Sequence, residues 1–231
     1  MKTILCLFLL VNTATAAKLS PSIYFTTVSN EIGSQNGDQT TRDSAQNCTD
    51  RRSLVDARGT VLAKVCKKFY KVCVLEGSCM IYKKNGQTEI YNYDRTIKNV
   101  PRFIVIDSSK CPFGLGVKGI CLDPFYTIAG DLNHHKPGEV IFVPKMKGTQ
   151  LPTGETHDGY FIVRDRGGAI VGPNRFDFFT GSYTSTDPEN SFSKLGFAET
   201  KNHFVFEKIT GNLADKIRKK RNYPLVPEKT N

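Results

Sequence analysis

Two aspartates, Asp165 and Asp177, are the residues of this sequence best placed for acid–base chemistry. Residues 160–164 (Tyr-Phe-Ile-Val-Arg) are rich in β-branched and aromatic side chains and predict a strand, which Asp165 and a Gly-Gly pair bring to an end. After a Gly-Pro-Asn turn, residues 176–179 (Phe-Asp-Phe-Phe) predict a second strand that contains Asp177. Two carboxyl groups brought together can donate and accept protons. A charged Asp within an aromatic run is costly to bury without a partner, so Asp177 is the more conspicuous of the two.

The sequence leaves other interpretations of these polar residues open. Each Asp could cap its turn, or Asp177 could pair with Arg175. His134, His135 and His157 could contribute to a metal site together with a carboxylate. However, adjacent residues of a strand point to opposite faces, so two neighbouring histidines do not readily bind one ion. We therefore expect surface loop histidines, no metal and no cofactor.

The elements that must position the two aspartates are mostly short strands separated by Gly and Pro turns. Residue composition predicts strands at 67–75, 80–82, 103–106, 139–143 and 203–207, and a helix at 213–221 that ends in a Lys/Arg cluster. Many short strands with frequent turns predict a mainly β barrel or sandwich. Four tyrosines could line a sugar-binding face or simply pack the sheet: Tyr70, Tyr82, Tyr91 and Tyr93.

The N-terminal residues 1–16 predict a secretory signal peptide. Lys2 supplies the positive charge, residues 4–11 the short apolar core, and Ala14-Thr15-Ala16 a small-residue cleavage site. The apolar run is too short to span a bilayer. We therefore expect a secreted or periplasmic protein that begins near Ala17 and has no integral membrane segment.

Cysteine usage agrees with export. Six cysteines remain after the predicted leader, and an even number in an exported protein predicts three disulfides. Among the possible pairings we favour Cys111 with Cys121, because Pro and Gly residues let the intervening loop fold back. Zinc binding by Cys73 and Cys79 is the rival interpretation, but their spacing is unsuitable and no histidine is near. The six cysteines are Cys48, Cys66, Cys73, Cys79, Cys111 and Cys121.

The surface is basic, with 32 Lys and Arg against 22 Asp and Glu. In an exported protein this balance favours an acidic extracellular polymer as the partner over nucleic acid. We expect a monomer that binds no nucleic acid.

A pattern of ordered aspartates, glycines and strands runs from about residue 110 to residue 181. Its first half is 122–131 (Leu-Asp-Pro-Phe-Tyr-Thr-Ile-Ala-Gly-Asp), followed by Pro-Gly and the strand 140–144. Its second half is 165–170 (Asp-Arg-Gly-Gly-Ala-Ile) and 175–181 (Arg-Phe-Asp-Phe-Phe-Thr-Gly). This pattern resembles the three-aspartate (3D) domain of the membrane-bound lytic transglycosylase A family.

The resemblance implies a six-stranded double-psi β-barrel in an enzyme that cleaves peptidoglycan, an acidic cell-wall polymer. The bond cut would be the β-1,4 bond between N-acetylmuramic acid and N-acetylglucosamine. The family's aspartates fall on Asp131, Asp165 and Asp177, of which the last is the catalytic acid and the first two shape the site. We expect four further residues of the motif to bind substrate: Arg166, Gly167, Gly168 and Arg175.

These observations divide the chain into five segments. They are a signal peptide (1–16), an extended polar lead-in (17–50), a cysteine-containing β-region (51–108), a 3D-type double-psi β-barrel (109–212), and a basic C-terminal helix and tail (213–231). The role of the cysteine-containing region is open, and substrate selection is one possibility.

A lytic transglycosylase needs one acid–base group, because the 6-hydroxyl of muramic acid attacks C1 of its own ring. We assign that role to Asp177 and expect Arg166 to lower the pKa of Asp165, so that Asp165 stays ionised. A lysozyme-type hydrolase that uses both carboxylates is an alternative. A second alternative is a non-catalytic, expansin-like polysaccharide-binding protein. The presence of all three aspartates in order favours an enzyme.

Overall fold

The computed structural model describes residues 17–30, 48–83 and 85–225. The predicted signal peptide at 1–16 lies outside the described residues. Within these ranges the protein is mainly β with little helix, as predicted. None of the helices in them is long and apolar enough to cross a membrane.

The elements are given in chain order, twelve strands and three helices within the described residues. The strands are β1 (Ala17–Tyr24), β2 (Thr27–Asn30), β3 (Arg51–Val55), β4 (Val61–Cys66), β5 (Ser78–Tyr82), β6 (Thr88–Ile97), β7 (Val100–Ile106), β8 (Thr127–Gly130), β9 (Val140–Phe142), β10 (Tyr160–Asp165), β11 (Arg175–Phe179) and β12 (Phe204–Ile209). The helices are α1 (Lys67–Glu76), α2 (Ser191–Lys194) and α3 (Gly211–Lys220). The helix predicted at 213–221 is thus present as α3.

Six strands form a closed barrel in the order β1-β11-β8-β10-β9-β12. Strand β1 closes it by pairing parallel with β11 and antiparallel with β12. Strand β8 pairs parallel with β10 and antiparallel with β11. Parallel neighbours cannot be joined by a tight hairpin, so the chain crosses between them. These crossings bring the ends of β10 and β11 close to β1, which is distant in sequence.

The barrel core determines which way Asp177 points. Phe176 and Phe178 are fully buried in the core cluster, and the ring of Phe178 lies 4.9 Å from that of Phe161. Successive side chains of a strand point to opposite faces. Asp177, between the two phenylalanines, therefore points away from the barrel core.

The cysteine-containing region packs beside the barrel as a separate set of elements. Strands β2, β5, β6 and β7 form one sheet, β3 and β4 form a hairpin, and α1 packs against β2, β3, β4 and β5. Its core includes Phe69, Tyr91 and Phe103, each of them fully buried or nearly so. We call residues 48–106 together with β2 the accessory region.

The strand predicted at 67–75 is wrong, because this segment forms α1. Its two buried residues, Phe69 and Cys73, are four positions apart and so lie on one face of a helix. Gly77 ends the helix with a φ of 77°, a conformation that favours glycine. Aromatic and β-branched residues suggested a strand, but the burial of one helical face decided the structure.

The polar lead-in predicted at 17–50 is also corrected in its first part. Residues 17–24 are β1 of the barrel, and residues 27–30 are β2 of the accessory sheet. Strand β1 joins the barrel although it has few apolar residues. Its backbone hydrogen bonds to β11 and β12 hold it in place, and its Leu19 is completely buried. The barrel therefore extends beyond the predicted limits of 109–212 to include residues 17–24.

Three disulfides are present, as the cysteine count predicted. Cys111 bonds to Cys121, the pairing favoured from the sequence. Cys48 bonds to Cys66, and Cys73 bonds to Cys79. Two of the three disulfides thus lie within the accessory region.

Reduction of the disulfides is expected to lower the free energy of unfolding by roughly 2–5 kcal/mol for each bond broken, since each closes a loop in the unfolded chain. Chemical denaturation with and without reductant measures this change, and alkylated reduced protein serves as the control against reoxidation. Maleimide labelling of free thiols in the unreduced, mature protein would contradict the assignment.

Candidate active site

A cleft of about 770 Å³ lies between the barrel and the accessory region. The barrel contributes the ends of β1, β10 and β11, and the accessory region contributes the end of α1 and part of β6. The disulfide-closed loop 111–121 supplies part of the lining through residues 115–117. Both Asp165 and Asp177 line this cleft.

Asp177 faces the cleft from the middle of β11. In the barrel register it lies beside Ser22 of β1, whose Oγ donates a 2.6 Å hydrogen bond to Asp177 Oδ1. Arg175 Nη2 donates to the same Ser22 Oγ over 2.8 Å. Burial raises the pKa of Asp177, while the Ser22 hydrogen bond and the charge of Arg175 oppose that rise. Among the described residues Arg175 reaches Asp177 through Ser22 and forms no direct ion pair with it.

Asp165 ends β10 at an irregularity in its pairing with β8. The hydroxyl of Tyr24 donates to Asp165 Oδ2 over 3.1 Å, and the backbone N–H of Arg166 donates to Oδ1 over 2.8 Å. Burial raises the pKa of Asp165 to about 7, despite both hydrogen bonds. The charge of Arg166 lowers the pKa of Asp165, as expected, but burial outweighs it, so the exposed Arg166 side chain does not keep Asp165 ionised throughout the neutral range.

Asp131 is not brought into the cleft with the other two aspartates. It follows β8, where its Oδ1 accepts a hydrogen bond from Asn133 N over 2.9 Å and its Oδ2 accepts one from Gly172 N over 2.8 Å. These backbone donors lower the pKa of Asp131. Because Gly172 lies in the turn that precedes β11, Asp131 holds the segment that presents Asp177. Its contribution is support of the site and not contact with the cleft.

The four residues predicted to bind substrate all line the cleft. Arg166, Gly167 and Gly168 follow Asp165 along one side, and Arg175 lies beside Ser22. A Cβ atom on Gly167 would come within 2.5 Å of Ile170 Cγ1, so a larger residue there would displace the Ile170 side chain at the edge of the cleft. The positions of these four residues are consistent with contact to a substrate in the cleft. Substrate binding by them stays a prediction.

Two of the three histidines are buried, contrary to the expectation of surface loop residues. His135 Nδ1 lies 2.7 Å from Glu139 Oε1, and His135 Nε2 donates to the carbonyl of Pro173 over 2.9 Å. His157 stacks on Tyr126 at 4.6 Å, and burial lowers its pKa to about 4. The loops that carry them pack against the barrel and satisfy both ring nitrogens. In the ranges the structure describes, no group of His, Cys, Asp and Glu residues could hold a metal ion.

Sequence reasoning missed six polar residues of the cleft: Ser22, Tyr24, Glu76, Ser78, Asn92 and Asp94. Ser22 and Tyr24 belong to β1, which was assigned to the lead-in, and Glu76 ends α1, which was assigned to a strand. Of the four candidate tyrosines only Tyr93 lines the cleft, with 40% of its surface exposed, whereas Tyr91 is fully buried in the accessory core. An alternating pattern in residues 17–24 was the one signal that could have revealed β1.

Residues 126–190, which include all three aspartates, match the 3D domain. The fold is similar to that of MltA from E. coli, solved with bound chitohexaose, at 13% identity and a TM-score of 0.51 over 84% of this chain and 72% of that one. It is also similar to the membrane-bound lytic murein transglycosylase of Agrobacterium tumefaciens, at 14% identity and a TM-score of 0.52 over 85% of this chain and 75% of that one.

None of the curated proteins compared matches the sequence. The chain nevertheless contains a 3D domain, and it has the fold of the lytic transglycosylases that carry this domain. The resemblance inferred from the ordered aspartates is thereby confirmed.

Proposed function

We propose that this protein cleaves the glycan strands of peptidoglycan at the β-1,4 bond between N-acetylmuramic acid and N-acetylglucosamine. The observation that carries the proposal is the pair of partly buried carboxyl groups, Asp165 and Asp177, in one cleft of a 3D-domain fold. A similar fold binds chitohexaose in E. coli MltA, which shows that it can accommodate a β-1,4-linked amino-sugar chain. The reaction favoured is that of a lytic transglycosylase.

In this reaction Asp177 gives its proton to the bridging oxygen as the bond from that oxygen to C1 of muramic acid breaks. The departing N-acetylglucosamine thereby gains a hydroxyl group. The 6-hydroxyl of the same muramic acid then bonds to C1 and returns its proton to Asp177. The product is a 1,6-anhydro sugar, Asp177 recovers its starting state, and water takes no part.

The environment of Asp177 supports this assignment. Burial keeps its carboxyl group protonated at higher pH than a free aspartate would be, as a general acid requires. The Ser22 hydroxyl fixes Oδ1, so that the proton lies on a carboxyl group of set orientation. Asp165 is close enough for the charge of Asp177 to raise its pKa, so ionisation of one group opposes ionisation of the other.

A lysozyme-type hydrolase is the second candidate, and the elevated pKa of Asp165 favours it. A carboxyl group with a pKa of about 7 can donate a proton near neutral pH, so Asp165 could be the acid while Asp177 attacks C1 or activates water. Both candidates cut the same bond and differ in the chemical end that they leave on muramic acid.

Further features of the protein belong to the same proposal. The parallel and antiparallel pairs of the six-stranded barrel support a double-psi β-barrel. Three disulfides support a secreted or periplasmic location.

Digestion of purified sacculi followed by mass spectrometry of the soluble fragments tests the proposal. We expect muropeptides that end in 1,6-anhydro-muramic acid, which are lighter by one water than the reducing forms. Asp177→Asn protein purified in the same way is the control for contaminating lysozyme. Binding to sacculi without release of fragments would instead identify a non-catalytic, expansin-like protein.

A further inference from the structure

The accessory region contributes a carboxyl group of its own to the cleft. Glu76 is the last residue of α1, and it lines the same cleft as Asp165 and Asp177. Its Oε2 accepts a hydrogen bond from the backbone N–H of Phe25 over 3.3 Å. Phe25 directly follows Tyr24, which binds Asp165, so adjacent residues hold carboxyl groups from both sides of the cleft.

The end of α1 is also held covalently. Cys73, which is fully buried on the inner face of the helix, bonds to Cys79 at the start of β5. This disulfide brackets Glu76 and the turn at Gly77. The disulfide therefore fixes Glu76 relative to β5, and the hydrogen bond from Phe25 joins it to the segment that follows β1.

No basic side chain in the described ranges pairs with Glu76. Arg175, which lines the cleft, is engaged with Ser20 O and Ser22 Oγ. Other basic residues on strands packed against α1, namely Arg51, Arg52 and Lys64, do not line the cleft. The other ionisable groups that line the cleft are Tyr24, Tyr93, Asp94, Asp165, Arg166, Arg175 and Asp177.

We propose that Glu76 is a positioning residue of the cleavage centre, whose negative charge helps to hold a proton on the Asp165–Asp177 pair from the accessory side of the cleft. This role of Glu76 in catalysis rests on the proposed function. A like charge nearby disfavours ionisation, and the effect is mutual between two groups. Burial and, to a lesser degree, the charge of Asp177 raise the pKa of Glu76 to about 7, so Glu76 gains its charge, and with it this effect, as the pH rises through the neutral range.

The role assigned to Glu76 gives the accessory region a part in the chemistry. The charge of Glu76, supplied by α1, would help to keep Asp177 protonated. Without the accessory region, Asp177 would lose its proton at lower pH. The three-aspartate motif cannot reveal this, because Glu76 lies outside the residues that match the 3D domain.

Glu76→Gln is the decisive variant, since it removes the charge, keeps the shape and can still accept the Phe25 hydrogen bond. With one negative charge fewer, the Asp pair loses its proton at lower pH. We therefore expect the alkaline limb of the kcat/KM profile on sacculi to move to lower pH by roughly half a unit or more. Glu76→Asp retains the charge and is expected to restore the wild-type profile.

Asp94→Asn is the matched control. Asp94 lines the same cleft, but Arg95 already pairs with it through Nε at 2.8 Å. Its replacement is expected to leave the alkaline limb in place. A shift as large as that of Glu76→Gln would show a general effect of cleft charge and would overturn the specific role of Glu76.

Carboxyl titration by ¹³C NMR, without substrate, separates this inference from the proposed function. We expect lower pKa values for Asp165 or Asp177 in Glu76→Gln, and a lower pKa for Glu76 in Asp177→Asn. The reciprocal measurement also serves if Glu76→Gln does not fold. If the wild type cleaves no glycan but these shifts occur, the proposed function fails and the coupling stands; if neither shift occurs, the role of Glu76 is refuted.

Discussion

Asp177→Asn is expected to lower the rate of glycan cleavage by about a hundredfold or more, because it removes the proton that the bridging oxygen must receive. Asn has nearly the same shape and its amide oxygen can still accept the hydrogen bond from Ser22 Oγ. The barrel core is untouched, since Phe176 and Phe178 point to the other face of β11. The measurement is the initial rate of muropeptide release from sacculi at the pH optimum of the wild type.

Asp187→Asn is a matched control for this experiment. It is the same substitution within the residues that match the 3D domain, in a turn that does not line the cleft. Circular dichroism and melting temperature establish that both variants fold. A folded Asp177→Asn protein with full activity would remove Asp177 from the mechanism.

The sequence was most informative where chemistry and local pattern coincide. Asp165 and Asp177 were predicted as a pair because one ends an apolar strand and the other lies within the next, and the structure places both in one cleft. Arg166 and Arg175 belong to the same local motifs and also line it. Spacing could not show that Asp131 faces the turn at Gly172, since that depends on how β8 and β11 pair.

Other parts of the site depend on contacts that no short pattern encodes. Strand β1 has a polar composition, and its place in the barrel comes from backbone pairing with β11 and β12, so Ser22 and Tyr24 were missed. Helix α1 contains residues typical of strands, and its helical structure follows from the packing of Phe69 and Cys73. Glu76 reaches the cleft because the accessory region packs beside the barrel, which is a tertiary arrangement.

The electrostatic role of Asp165 could not be predicted from its neighbours in sequence. Arg166 is adjacent, yet its side chain is exposed, and burial at the end of β10 dominates the pKa of Asp165. Asp165 thus carries a proton over part of the neutral range, whereas an ionised helper was expected. This correction makes the choice between the two mechanisms an experimental question about Asp165.

Asp165→Asn separates the transglycosylase from the hydrolase. In a transglycosylase Asp165 acts only on the proton balance of Asp177, so its loss is expected to slow the reaction by roughly tenfold, less than the loss of the acid itself. The product would remain the 1,6-anhydro sugar. Because the ionised form of Asp165 no longer opposes ionisation of Asp177, the alkaline limb of the kcat/KM profile should move to lower pH. Muropeptide mass spectrometry and a pH profile measure both effects.

In a hydrolase both carboxyl groups take part directly, one as acid and the other as nucleophile or base. Asp165→Asn would then be about as damaging as Asp177→Asn, and the wild type would release reducing ends. Tyr24→Phe is an informative companion, since it removes the donor to Asp165 Oδ2 but keeps the carboxyl group. Loss of that donor should raise the pKa of Asp165 above its value of about 7. In Asp165→Asn, by contrast, the pKa of Asp177 should fall. Reducing-end products from the wild type would overturn the transglycosylase mechanism and retain glycan cleavage.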